Sequence, residues 1–203
     1  MAKKADLPKH ILDRALELAA ERGWRAISLS DIAAAAKVPL SQLYAIYPTK
    51  TAILDAFERE LDAQVLVAAE KEAPEGSARD RLFDVLMLRF DALEPYRKAV
   101  KAILIGARRD PLLVLASLGQ FMRSMAIMLE AAGISSAGVP GAIRAQGLAA
   151  IYLATLRVWL EDESEDKAKT MAALDSRLRR AESWAWVLDR GLPQRGRRHR
   201  RAA

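Results

Sequence analysis

The chain has 203 residues, of which 52% are hydrophobic and 29% charged, a composition typical of a folded globular protein. It contains no cysteine, which excludes disulfides and thiolate chemistry, and its two histidines lie near the ends of the chain. We therefore expect no histidine-based metal site, no bound cofactor and no enzyme activity. The sequence shows no signal-peptide core and no uninterrupted apolar run of about 20 residues, so we expect a cytoplasmic protein.

The net charge of +6 is unevenly distributed. Residues 190–203 contain six arginines and no acidic residue, which leaves residues 1–189 neutral overall. Within that neutral part the first 50 residues carry eight basic and five acidic side chains, so the N-terminal quarter is mildly basic. The tail over 191–203 is predicted to be disordered. Three interpretations of this tail remain open. It is simply solvated, it attracts DNA non-specifically, or it makes weak contact with an anionic membrane.

Alanine and leucine dominate and period-two alternation is absent, so nearly every segment predicts an α-helix. The first helix begins at Pro8 and ends before Gly23. Ser28 and Asp31 have the spacing of a capping box, and Asp110 is a good N-cap for a later helix. The remaining helices are predicted at about 29–36, 40–46, 50–72, 79–92, 95–108, 111–132, 141–161 and 166–189.

Three helices fall within residues 8–47 and a tight turn joins the last two, which predicts a helix-turn-helix. The segment 28–38 and the Leu-Tyr-x-x-aromatic-Pro-x-Lys pattern over 43–50 resemble the TetR family of one-component regulators. The similarity covers residues 8–57. It implies an all-α protein of about nine helices, with a DNA-binding domain over 1–49 and a ligand-binding and dimerisation domain over 50–190.

The TetR resemblance implies contacts with a double-stranded DNA operator. Ser41 and Gln42 are the polar side chains placed to reach base edges, while Tyr44 and Lys50 are placed to contact phosphates. The predicted DNA-binding residues are Ser28, Lys37, Ser41, Gln42, Tyr44 and Lys50.

The sequence also departs from the TetR pattern. Lys37 stands where the family usually has glycine in the turn, and Pro39 stands where a serine or threonine usually caps the recognition helix. Residues 40–47 contain no lysine or arginine. Phosphate contacts dominate DNA affinity. This helix therefore either recognises DNA weakly or is a scaffold that no longer recognises DNA.

Residues 80–182 are similar to a different group, the lipid-binding accessory proteins of ubiquinone biosynthesis. The segments 81–84, 152–155 and 159–166 carry this resemblance. It implies a carrier that holds an isoprenoid lipid and presents it to a partner enzyme. The acidic residues of the match have a simpler interpretation as helix caps around a turn; they are Asp162, Asp166 and Asp175.

Both resemblances imply a ligand cavity, and the helix over 111–132 fits one because it is apolar on more than one face. Methionine side chains suit an adaptable pocket, and the few polar groups nearby favour a small apolar ligand. Ordinary core packing is the alternative. The predicted ligand-binding residues are Met87, Phe90, Phe121, Met122, Met125, Tyr152 and Trp159.

The last helix predicts a homodimer. From Met171 to Leu188 its apolar residues are spaced 3, 4, 3, 4 and 3 apart, the spacing of a helical seam, and the preceding helix has a wide apolar stripe. Two such helices from each subunit would form a four-helix interface, whereas burial within one chain is the alternative. The predicted interface residues are Ile151, Thr155, Met171, Leu174, Leu178, Ala181, Ala185 and Leu188.

Overall fold

The structure is a computed structural model that describes the backbone of residues 7–71 and 76–191 and side chains as far as residue 181. The described residues contain no strand, which confirms the all-α prediction. The helices are α1 (Leu7–Arg22), α2 (Leu29–Ala36), α3 (Leu40–Ile46), α4 (Lys50–Lys71), α5 (Ala78–Leu93), α6 (Arg97–Ala107), α7 (Pro111–Ala131), α8 (Gly138–Trp159) and α9 (Ala168–Gly191).

Side-chain caps fix the starts of α2 and α7. The Ser28 hydroxyl accepts from the Asp31 amide at 3.1 Å and the Asp31 carboxylate accepts from the Ser28 amide at 2.8 Å, which is the predicted capping box. Asp110 accepts from the Leu113 amide at 3.0 Å, as its sequence position predicts. These bonds satisfy amides that lack a partner within their own helix.

The N-terminal unit packs α1, α2 and α3 around a small apolar core. Ile11, Ile32 and Leu43 are fully buried there. Tyr47 is also buried, and its hydroxyl donates to the Pro8 carbonyl at 3.2 Å, so this tyrosine is part of the core. Packing in this core fixes the angle between α2 and α3. It therefore determines which face of α3 is exposed to solvent.

The remaining helices form a bundle in which α4 packs against α5 and α7, and α8 packs against α7 and α9. Helix α6 lies against α1, and α4 also contacts α1, so both helices link the bundle to the N-terminal unit. Among the described helices, α7 is long and apolar enough to cross a membrane by length and composition, and 28% of its apolar segment is buried.

Helix α8 begins at Gly138, earlier than the predicted start at residue 141. Gly141 has a different role, because a Cβ at this position would lie 2.0 Å from the backbone carbon of Ser136. The glycine therefore allows a close approach of the chain just before α8 to the first turn of this helix.

The α8–α9 connection is held by Asp162, which is 1% exposed. Its carboxylate accepts hydrogen bonds from the hydroxyls and amides of Ser164 and Thr170, and its carbonyl accepts from Arg97 at 2.6 Å. Burial acts to raise the pKa of this carboxyl, but the hydrogen bonds from Ser164 and Thr170 outweigh it and hold the pKa below its usual range. Asp162 thus acts as a turn and helix-cap residue. This is the simpler of the two interpretations that the sequence offers for this residue.

Candidate nucleic-acid interface and effector region

The turn between α2 and α3 is made by Lys37 in the left-handed conformation, with φ 55° and ψ 41°. Its amide donates to the Ala34 carbonyl at 3.1 Å, and the Val38 amide donates to the Ala33 carbonyl at 3.0 Å. This conformation is costly for a residue with a side chain, so the turn forms without the glycine that suits it best. The Lys37 side chain is exposed beside α3.

Helix α3 presents a polar but uncharged outer face. Leu43 is buried and anchors the helix, while Ser41, Gln42 and Tyr44 are exposed, Tyr44 by 60%. A glutamine on such a face matches the donor and acceptor pair of adenine in the major groove, and a serine can bond to several bases. The structure therefore brings three predicted DNA-binding residues together on one accessible helix.

The ammonium of Lys50 is engaged inside the protein. It donates to the Trp24 carbonyl at 2.6 Å and the Ile27 carbonyl at 2.7 Å, and it lies 5.0 Å from the centre of the Trp24 ring. Burial lowers the pKa of this lysine. In this arrangement Lys50 ties the start of α4 to the α1–α2 connection.

Ser28 is likewise engaged by its own helix. Its hydroxyl donates to the Asp31 carboxylate at 2.6 Å, and hydrogen bonds from Ser28 lower the pKa of Asp31. The N-terminus of α2 thus already holds an acidic group, which opposes a phosphate at the same place.

A buried ionic network lies in the bundle where an effector is expected. Arg89 of α5 is 0% exposed and donates to Asp62 at 2.6 Å and to Glu58, both of α4. Ser124 of α7 donates to the same Asp62 oxygen at 2.5 Å, and the guanidinium lies 5.4 Å from the ring centre of Tyr152 on α8. Burial raises the pKa of the Glu58 carboxyl, and the Arg89 charge acts against that rise. One network therefore joins four helices.

An aromatic cluster adjoins the network. The ring of Phe90 lies 5.5 Å from that of Tyr152 and 5.9 Å from that of Trp159, and Phe121 lies 6.0 Å from Tyr152. Phe90, Tyr152 and Trp159 are buried, as is Met125, so these four predicted ligand-binding residues are part of the core. The others are half-buried; they are Met87, Phe121 and Met122.

Two open grooves lie away from the predicted ligand-binding residues. One of about 680 Å³ lies between α1 and the α5–α6 connection, with Lys9, Arg14 and Tyr96 in its walls. The other, of about 340 Å³, lies between the α5–α6 and α8–α9 connections. Neither groove is lined by any of the seven predicted ligand-binding residues. An apolar pocket formed by those seven residues therefore stays a prediction.

The predicted dimer-interface residues divide into two groups. Thr155, Leu174 and Leu178 are buried within the chain, the alternative that the sequence left open. Ile151 and Met171 are partly covered and Ala181 is exposed, whereas the side chains of Ala185 and Leu188 lie outside the described residues.

An exposed stripe on α8 offers a different surface for a partner helix. Ile143 is 63% exposed and Leu153 is 40% exposed, and both lie on one face with Gly147 and Ala150. The two small residues between the larger ones leave room for another helix to approach closely.

Sequence reasoning missed the Arg89 network, although a signal for it exists. Leu82, Leu86, Arg89 and Leu93 follow the helical spacing of one face, and the three leucines are buried. A charged residue at a core position of such a stripe indicates a buried ion pair, since an unpaired buried charge is too costly.

The comparisons with known proteins match two families over different parts of the chain. Residues 11–57 match the family described as bacterial regulatory proteins, tetR family, and residues 116–185 match COQ9. A comparison with curated proteins finds no match.

Solved structures of TetR transcriptional regulators share the fold. One from Nitrosomonas europaea ATCC 19718 is 28% identical with a TM-score of 0.70, covering 87% of this chain and 98% of its own. One from Rhodococcus sp. RHA1 is 21% identical with a TM-score of 0.60, again covering 87% of this chain and 98% of its own. A putative TetR-family regulator from Syntrophomonas wolfei is 17% identical with a TM-score of 0.61, covering 96% of this chain and all of its own.

The chain is therefore an all-α protein with the fold of TetR-family regulators. Residues 11–57, which match the tetR-family model, form a helix-turn-helix, and this match and the fold support a TetR-like transcriptional regulator.

Proposed function

We propose that this chain is a cytoplasmic, homodimeric DNA-binding regulator that responds to a small apolar ligand and acts as a repressor. The observation that carries the proposal is the helix-turn-helix, whose α3 exposes Ser41, Gln42 and Tyr44 beside a buried Leu43 anchor. In this proposal Gln42 and Ser41 read base edges, and Tyr44 contacts a phosphate. Lys37 supplies a second phosphate contact from the turn.

A dimer is part of the proposal because two recognition helices must enter successive major grooves, about 34–36 Å apart. The exposed stripe of α8 supports a two-fold contact, with Ile143 and Leu153 packing against the same residues of a second copy.

The ligand is proposed to enter between α5, α7 and α8, where the aromatic cluster meets the buried network. Asp62 Oδ2 and Arg89 Nε are buried without a hydrogen-bond partner among the described residues, so a polar group on the ligand has two groups to engage. Because α4 carries Asp62 and also begins at Lys50, beside the helix-turn-helix, a shift of α4 would couple ligand binding to the spacing of the two recognition helices.

Selection of bound duplexes from a random pool at about 150 mM salt tests the regulator. We expect an enriched palindromic motif for the full chain and a relaxed preference at one position of each half-site for Gln42→Ala. Loss of a bidentate base contact costs about 1–3 kcal/mol of discrimination. Gln64→Ala is the matched control, because Gln64 is an exposed glutamine on α4. An identical motif from all three proteins would refute the role of Gln42.

A second candidate function is favoured by two observations, the match to COQ9 over residues 116–185 and the absence of a charged side chain on α3. In this alternative the chain is a lipid carrier of ubiquinone biosynthesis that does not read DNA. No enriched motif, together with loss of the remaining DNA binding on deletion of residues 194–203, would favour the carrier. Native mass spectrometry should then show a bound isoprenoid lipid.

A further inference from the structure

We infer that the exposed face formed by the end of α6 and the first half of α7 is a docking surface for an anionic lipid bilayer. The apolar part of this face, which we call the α7 patch, is formed by residues whose side chains are 46–76% exposed. They are Ile105, Leu112, Val114, Leu115 and Leu118. Neither proposed function assigns a role to this patch.

The α7 patch differs from scattered apolar surface residues because its members follow one another along a single helix. Four of the five lie within two turns of α7, and Ile105 lies near the end of the preceding helix. Contiguous exposed apolar surface of this kind is uncommon on soluble monomers and indicates a partner. Helix α7 itself remains packed against α4 and α8, so its exposed half can lie on a bilayer without leaving the bundle.

The positive charge around the α7 patch favours an anionic lipid surface as its partner. Residues 97–123 contain six basic residues and a single acidic residue, Asp110. Asp110 is engaged as the cap of α7, where it accepts from Leu113. Lys101, Arg108 and Arg109 are exposed on the same stretch as Ile105, and Arg123 is exposed one turn beyond the patch. Apolar side chains next to several cations complement the acyl chains and anionic headgroups of a lipid surface.

The test uses the absence of cysteine from the sequence, which allows one label per chain. A polarity-sensitive dye is attached to Leu115→Cys or, as a matched control, to Val67→Cys, an exposed apolar position on α4. Vesicles of phosphatidylcholine with phosphatidylglycerol should raise and blue-shift the emission at position 115 but not at position 67. Vesicles of phosphatidylcholine alone should give a weaker response. No change in the dye emission at position 115, or equal changes at positions 115 and 67, would overturn the inference.

Two unlabelled variants distinguish lipid docking by the α7 patch from a contact between two copies and from binding by the tail. Arg108→Gln with Arg109→Gln should lower the vesicle partition coefficient about 30-fold, because each basic residue near an anionic surface contributes about a factor of five. Leu112→Ser with Leu115→Ser should abolish partition while the mass from light scattering stays the same. A lower mass for the serine variant would show that the patch joins two copies instead. Vesicle binding lost only when Arg197, Arg198, Arg200 and Arg201 are changed to glutamine would assign it to the tail.

Discussion

Lys50 connects the two parts of the protein through backbone carbonyls. Its ammonium donates to Trp24 and Ile27, both in the α1–α2 connection, from the first residue of α4. A charged donor shared by two carbonyls is stronger than a neutral hydrogen bond. Removing it leaves both carbonyls without this donor and frees the start of the helix that carries the proposed ligand signal.

We predict that Lys50→Met lowers the free energy of unfolding by about 2 kcal/mol, the usual cost of losing hydrogen bonds to a charged group. Urea unfolding followed by circular dichroism measures this change. Lys37→Met is the control, because Lys37 is exposed, and we expect it to change stability by less than about 0.5 kcal/mol. A Lys50→Met protein of normal stability that binds all DNA sequences more weakly would restore the phosphate contact as the main role of Lys50.

Single-residue roles were predictable where burial alone decides them. Leu43 and Tyr47 are the first leucine and the aromatic residue of the Leu-Tyr-x-x-aromatic-Pro-x-Lys pattern, and both are buried in the core of the helix-turn-helix. The surroundings of Lys50 were not predictable, because its two acceptors are backbone carbonyls and a sequence does not show which carbonyls point outward from a connection. The same limit applies to the close approach at Gly141.

At the scale of helices, the Arg89 network connects α4 to α5 and α7. Asp62 and Glu58 lie one turn apart on α4 and both accept from the Arg89 guanidinium of α5. Ser124 brings α7 to the same carboxylate. A buried ion pair contributes little net stability over an apolar core, but loss of one partner leaves an uncompensated charge.

We predict that Arg89→Met destabilises the protein by about 3–5 kcal/mol, because it leaves the buried Asp62 carboxylate and the partly exposed Glu58 carboxylate without their cationic partner. The measurement is again urea unfolding. Arg123→Met is the matched control, since Arg123 is exposed and, among the described residues, donates to Gln120 of its own helix. A triple variant that adds Asp62→Asn and Glu58→Gln should recover most of the loss. Failure of the triple variant to recover stability would show that Arg89 acts through its packing and not through its charge.

Helix order and most helix ends were predictable from the sequence, because apolar periodicity and caps such as Ser28 and Asp110 are local signals. The contacts between helices were less predictable. The seam spacing of α9 marked Leu174 and Leu178 as apolar contacts, but that spacing is the same whether the partner helix belongs to this chain or to a second copy. In the structure both leucines pack inside the chain.

At the scale of the whole molecule, the proposed dimer requires a surface that one chain leaves open. The stripe on α8 provides it, since Ile143 and Leu153 are exposed on either side of Gly147 and Ala150. A contact across a two-fold axis would bury these residues against themselves and place the two copies of α8 side by side.

We predict that the full chain has twice the 22.4 kDa mass of one copy by light scattering at micromolar concentration, and that Leu153→Asp has the mass of a folded monomer. An aspartate within the contact would lose its water on association without gaining a cationic partner, once in each copy, and this cost opposes association. Because operator binding needs two half-sites, the variant should also lose the selected motif while non-specific binding remains. Val67→Asp, at an exposed position on α4, should stay dimeric. A dimeric Leu153→Asp protein that retains its motif would exclude the α8 stripe as the interface.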